Sequence, residues 1–198
     1  MQCLRHSLLA SSFVVSFLTA VAADDKGAPA DASRETNRDW NDLPGVDGKT
    51  HSLKDIKTRF VAVAFLANSC ALCRFQEAEL NRIQEEYREK GVTVMAISVG
   101  TRPEDQLPRM IERLQAAGYK FPYLHDASQE TGRRFRVTCT PTVYLLNEDR
   151  KIVYRGALND DGTPIAKHYL RDALDDSLAG RPVAVPKTRA IGCGILYD

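Results

Sequence analysis

The chain has 198 residues, 27 Lys and Arg against 26 Asp and Glu, and a hydrophobic content of 43%. That near-zero balance argues against a nucleic-acid surface or an anionic-membrane surface, and the length is that of one domain able to bury a core without covalent staples. The cysteines are therefore available for chemistry instead of being needed to hold a minimal fold together.

Met1 to His6 carries one Arg and one His, Ser7 to Ala23 is uncharged and rich in Leu, Val, Phe, Ala and Ser, and Ala20-Val21-Ala22 supplies small residues. That layout predicts a cleaved secretory signal over residues 1–22. The apolar run is short for a membrane span of roughly 20 residues, and Asp24-Asp25 follow at once, so an uncleaved anchor is the lesser alternative. Cleavage would remove Cys3 and leave a near-neutral chain of about 175 residues with four cysteines in a periplasmic or extracellular compartment.

Residues 23–39 read as a flexible polar leader, 40–180 as the folded domain and 181–198 as a C-terminal tail. Pro44-Gly45 and Asp47-Gly48 are turn signals ahead of the alternating Thr50 to Leu53, which predicts a small hairpin. Phe60 to Leu66 is an apolar run of strand length without alternation, as in a strand covered on both faces. Leu72, Phe75, Leu80, Ile83 and Tyr87 recur at helical spacing, predicting a helix from about Cys73 to Lys90 with that face buried and Gly91 at its left-handed end. Val92 to Val99 completes a parallel βαβ unit.

Leu107, Met110, Ile111 and Leu114 mark a second helix ending before Gly118, with Pro103 and Pro108 obscuring its start. Phe121 to Leu124 is expected as a short strand, Gln129 to Phe135 as a short helix, and Thr142 to Leu146 with Lys151 to Arg155 as an antiparallel hairpin. Thr163-Pro164 is expected to start a last helix that buries Leu170, Ala173, Leu174 and Leu178 and stops at Gly180-Arg181-Pro182.

Cys70-Ala71-Leu72-Cys73 stands where the buried strand hands over to a helix. The first N–H groups of a helix are unpaired and its dipole is positive there, so a thiolate is favoured over a thiol. Cys70, at the loop end, is expected to attack, and Cys73, one turn in, to resolve the mixed disulfide. The same pair could also be half of a zinc site completed by Cys139 and Cys193, or a structural disulfide of a very short loop.

Phe60 to Cys73, Phe121-Pro122-Tyr123-Leu124-His125-Asp126 and Val137-Thr138-Cys139-Thr140-Pro141-Thr142-Val143-Tyr144 resemble the thioredoxin superfamily, and within it the exported redoxin branch of thioredoxin-like reductases and peroxiredoxins. The resemblance implies an α/β thioredoxin-like fold with a central mixed sheet flanked by helices, here with an N-terminal hairpin and a C-terminal tail. It implies a thiol-disulfide oxidoreductase whose catalytic residues are Cys70, Cys73 and a cis Pro141 facing them, with Thr140, Ser69, Ala71 and Leu72 lining the substrate site. The partners implied are protein or small-molecule thiols and disulfides plus a recycling partner, for a monomer with no cofactor, no metal and no nucleic acid.

Ser69 stands where reductases of this kind carry an aromatic residue, and Ala71-Leu72 replaces their common Gly-Pro dipeptide. Val63 and Ala67 stand where peroxiredoxins carry a Pro and a Thr or Ser, which makes thiol peroxidase the weaker alternative, beside a metal-binding or chaperone module. Cys139 and Cys193 are expected as second redox or structural cysteines. Cys193 could bond Cys139 or exchange with the Cys70-Cys73 pair as a relay, the flanking Gly192 and Gly194 freeing the tail to approach; the alternative is that Cys139 is a buried small hydrophobe and Cys193 a free or intermolecular thiol. His125 is read as a turn histidine satisfied by Asp126.

Overall fold

The run Phe60–Leu66 has no polar face to offer solvent, and in a computed structural model describing residues 38–160 and 164–197 it is the fully buried centre of the molecule. The expected signal, most of the leader and Thr163 lie outside the described residues. In chain order the elements are β1 (Leu43–Pro44), β2 (Thr50–His51), β3 (Phe60–Leu66), α1 (Ala71–Tyr87), β4 (Val92–Ser98), α2 (Leu107–Ala117) and β5 (Tyr123–His125). Then follow α3 (Glu130–Phe135), β6 (Cys139–Thr140), β7 (Thr142–Leu146), β8 (Ile152–Gly156), α4 (Tyr169–Leu178) and β9 (Cys193–Gly194).

Five strands form one mixed sheet in the order β5-β4-β3-β7-β8. β4 runs parallel to β3, from Phe60 opposite Val92 to Leu66 opposite Ser98, and β5 parallel to β4. β7 is antiparallel to β3, with Val63 opposite Tyr144, and closes the expected hairpin with β8. The pleat of β3 sends Ala62, Ala64 and Leu66 into a core with Leu80, Ile83, Met110, Leu170 and Leu174 from α1, α2 and α4. Val61, Val63 and Phe65 enter a second core with Trp40, Leu53 and Phe135. Phe135 centres this second layer, its ring 5.2 Å from those of Phe65 and Tyr144 and 6.3 Å from that of Trp40.

Several expectations are met. β1 and β2 form the small hairpin, Gly91 and Gly118 take φ of 84° and 59° as helix-ending left-handed residues, and Pro108 sits in the first turn of α2, where a missing N–H costs nothing. Three are corrected. Leu72 is 39% and Phe75 79% exposed, so the buried face of α1 runs instead through Cys73, Gln76, Glu77, Leu80, Ile83, Gln84 and Tyr87. Burial of Glu77 is possible because Arg113 and the Tyr119 hydroxyl donate to its carboxylate. β5 starts at Tyr123 and not at Phe121 because Pro122 has no N–H, its carbonyl accepting from Ala96 N at 2.9 Å. α4 begins at Tyr169, since the stretch before it is spent on Asp160, whose N–H donates to the Lys167 carbonyl and whose carboxylate accepts from Ala166 N.

Phe135→Ala opens the middle of the second core and is expected to cost about 3–5 kcal/mol. Urea unfolding of the reduced protein checks it, as a lower midpoint at an unchanged slope.

Candidate active site

Cys70 is the N-cap of α1, with extended backbone at φ −91° and ψ 113°. It stands at the carboxyl end of β3, the edge of a parallel sheet where ligands gather. The loop before it is tied down from the next strand's end. Ser69 N and Ser69 Oγ donate to Asp105 Oδ1 and Oδ2, both at 2.8 Å, and Asn68 Nδ2 donates to the Glu104 carbonyl at 3.0 Å. Asp105 is buried, and its carboxylate fills the space beside Gly100, where a Cβ would lie 2.2 Å from Oδ2.

Cys70 and Cys73 are each 1% exposed and neither is in a disulfide. Cys70 Sγ lies 3.2 Å from the Thr140 carbonyl oxygen, to which it donates when protonated. The Thr140–Pro141 peptide is cis, as the resemblance implies, and Pro141 is buried beside the pair. Hydrogen bonding from the Cys73 thiol, and then from Cys193, holds the Cys70 thiol well below its usual range, at about 4. Donating that bond and lying buried push the Cys73 thiol up. Cys193 is raised to about 11, first by its hydrogen bond to Cys70. The three sulfurs therefore form one cluster, with Cys70 as the acceptor at its centre.

Of the residues expected from the sequence, Cys70, Cys73, Thr140 and Pro141 come together, and Ala71 and Leu72 are exposed at the rim beside Phe75. Ser69 is close, but its N–H and hydroxyl are both engaged by Asp105. Cys193 joins the site through β9, which pairs antiparallel with β6 so that Cys193 faces Thr140 and Gly194 faces Cys139. Cys139 lies on the opposite face of that ribbon, its sulfur 3.7 Å from Thr142 Oγ1 and 3.8 Å from the Ala190 carbonyl, turned away from Cys193. A Cys139–Cys193 bond and a four-cysteine zinc site both require that face to be reversed. Among the described residues no group of three or more His, Cys, Asp or Glu is arranged to hold a metal ion.

Asp105 escaped the sequence reading because Pro103 and Pro108 hid the turn that carries it. The available signal was its position just beyond the end of β4, beside the end of β3 that carries the cysteines. His125 is also buried at this edge, with Nε2 lacking a hydrogen-bond partner. Asp126 does not satisfy it as expected, since its carboxylate accepts from Ser128 Oγ and Gly132 N. Burial lowers the pKa of His125.

A mixed sheet whose central strand feeds a dithiol into a helix N-terminus, opposite a Thr–cis-Pro turn, defines a redoxin of thioredoxin-like fold. Residues 39–155 match the AhpC/TSA family, and the chain belongs to it. The thiol-disulfide oxidoreductase ResA of Bacillus thuringiensis (strain Al Hakam) is 28% identical over 109 residues, 54% of this chain and 60% of that protein. The chain thus spans somewhat under two thirds of the length of this curated relative. Among solved structures, an uncharacterized conserved protein from Geobacillus kaustophilus is 35% identical with a TM-score of 0.76, covering 81% of this chain and 89% of that one. A putative thioredoxin from Neisseria meningitidis shares the fold at 21% identity, with a TM-score of 0.58 over 71% of this chain and 88% of its own.

Two measurements test the site. Thiolate absorbance of the reduced protein is expected to appear as pH rises through about 4, and the midpoint is expected to move up in Cys73→Ala, which removes a donor to the Cys70 sulfur. Asp105→Ala leaves the Ser69 N–H without its partner and is expected to destabilise the fold by about 1–3 kcal/mol in denaturant unfolding.

Proposed function

We propose that the protein is a thiol-disulfide oxidoreductase that exchanges the Cys70–Cys73 dithiol with disulfides of proteins or small molecules, working as a monomer in an extracytoplasmic compartment. The observation that carries this reading is the position of Cys70: a sulfur on the N-cap residue of α1, stabilised as a thiolate by Cys73 one turn behind it, beside Thr140 and Pro141. The Cys70 thiolate attacks one sulfur of the substrate disulfide, forming a mixed disulfide and expelling the other sulfur as a thiolate. Cys73 then loses its proton and attacks Cys70 Sγ. The Cys70–Cys73 bond forms, the second substrate sulfur leaves and takes up that proton, and two electrons have passed to the substrate. A thiol partner reverses the exchange to restore the dithiol.

The exposed Leu72 and Phe75 beside Cys70 offer apolar contact to a protein substrate. A thiol peroxidase needs a hydroxyl near the attacking sulfur, and Val63 and Ala67, both buried, offer none. Export rests on the apolar segment Ser7 to Ala23 and its small-residue end.

Cys70→Ser is expected to lower the rate of insulin-disulfide reduction on the order of 10³-fold or more, the scale of losing a covalent nucleophile. Unchanged insulin reduction in that variant, or loss of peroxide consumption in its place, would sink the exchange reading.

A further inference from the structure

The segment after Pro182 does not trail from the domain. Arg155 N donates to the Pro186 carbonyl and Thr188 N to the Arg155 carbonyl, so the tail runs as an added strand along β8, and Thr188 Oγ1 meets the Tyr154 hydroxyl at 2.6 Å. It then reaches β6. β9 pairs with β6, Ile195 N donates to the Thr138 carbonyl at 3.1 Å, Gln129 Nε2 donates to the Leu196 carbonyl at 2.9 Å, and the Tyr197 hydroxyl donates to the Val137 carbonyl at 2.7 Å. The chain is therefore pinned on both sides of Cys193.

What the tail occupies is specific. Thr140 immediately precedes Pro141, and its carbonyl is the one that meets Cys70 Sγ. A strand laid antiparallel at Thr140 has the geometry by which an extended peptide is captured through its main chain. Cys193 takes that place, opposite Thr140, with its thiol hydrogen-bonded to Cys70. The approach needs Gly192, where a Cβ would lie 2.0 Å from the Thr140 oxygen, so a side chain there is excluded. Cys70 is 1% exposed beneath this strand, whereas Cys193 is exposed.

We propose that Cys193 is a third redox-active cysteine: the tail sits in the site as an internal substrate, and the oxidised protein passes through a Cys70–Cys193 disulfide. The proposal rests on the exchange reading above, which makes Cys70 the nucleophile and supplies the Cys70–Cys73 disulfide. Cys193 loses its proton and attacks Cys70 Sγ of that disulfide. The Cys70–Cys193 bond forms, the Cys70–Cys73 bond breaks, and Cys73 leaves as a thiolate that takes up a proton, with no net oxidation. An outside thiol then attacks the exposed Cys193 sulfur and expels the Cys70 thiolate. A second outside thiol attacks the outside sulfur now carried by Cys193, releasing an outside disulfide and restoring the Cys193 thiol. Thiols thereby reach the buried pair without lifting the tail off Thr140.

The test oxidises the full chain with glutathione disulfide after substitution of the other internal partner. In Cys73→Ser, Cys70 takes up one glutathionyl group and Cys193 displaces it, so intact mass after thiol blocking is expected to show an internal disulfide with no adduct, and peptide mapping to join the Cys70 and Cys193 peptides. Cys73→Ala is expected to behave alike, which guards against a folding defect of one substitution. The double variant Cys73→Ser, Cys193→Ser is expected to keep the glutathionyl group on Cys70. A stable adduct on Cys70 in Cys73→Ser, with Cys193 fully alkylated, overturns the proposal while leaving the exchange reading intact. Absence of any adduct in the double variant overturns both, because Cys70 is then no nucleophile.

Discussion

The burial of one sulfur against one carbonyl organises this molecule. Cys70 can lie 3.2 Å from the Thr140 oxygen only because two segments seventy residues apart are brought to the same edge by the antiparallel pairing of β3 and β7. β3 is apolar on both faces, so it must run through the middle of the sheet. Its carboxyl end must then release the chain upward into α1. β7 returns beside it in the opposite direction, which delivers Thr140 and Pro141 to the place where β3 ends. The first turn of α1 brings unpaired N–H groups and a positive dipole end to that point, and the carboxylate of Asp105 stays engaged with Ser69 and does not compete for the helix N-terminus.

The frame was legible in the sequence because its signals are local. An uninterrupted apolar run, a Gly at a helix end and a Thr-Pro before a β-rich stretch each require only near neighbours to be read. The buried face of α1 was not legible in the same way. Leu72 and Phe75 fit helical spacing with Leu80 and Ile83, but the face that meets the sheet includes Gln76, Glu77 and Gln84. Those polar residues are buried because distant partners satisfy them: Glu77 by Arg113 and Tyr119, and Gln84 by Val94 N at 2.7 Å. A reading that ranks residues by hydrophobicity sends such positions outward and brings Leu72 and Phe75 inward, the reverse of what packing selects.

The tail was illegible for a related reason. Gly192-Cys193-Gly194 has no alternation and low strand propensity, and its extended conformation is imposed by Thr140 and Cys139 across more than fifty residues of chain. The even cysteine count pointed toward a Cys139–Cys193 bond, because counting ignores the pleat. Once Cys193 is paired with Thr140, alternation along β6 turns Cys139 to the other face. The glycines, first noted as sources of freedom, serve close approach: a residue with a side chain at 192 could not lie over the Thr140 oxygen.

That placement also gives the cluster an order. Cys73 and Cys193 both donate to Cys70, and each is raised in the act, so neither attacks until it gives up its proton while the other still holds the central sulfur. For an outside thiol, a disulfide that contains Cys70 is best attacked on Cys70's partner, because the depressed sulfur is the better leaving group. Access then selects the partner. Cys73 lies sealed under the loop and β6, and Cys193 faces solvent. With Cys70–Cys73 formed, the best leaving group is buried and its partner is unreachable, and the disulfide is protected from passing thiols. In the proposed relay, transfer of the bond to Cys193 moves the electrophilic sulfur to the surface without moving the nucleophile. On that reading, a strand held by main-chain bonds at Thr138 and Thr140 sets which thiols enter the exchange, through the position of one sulfur atom.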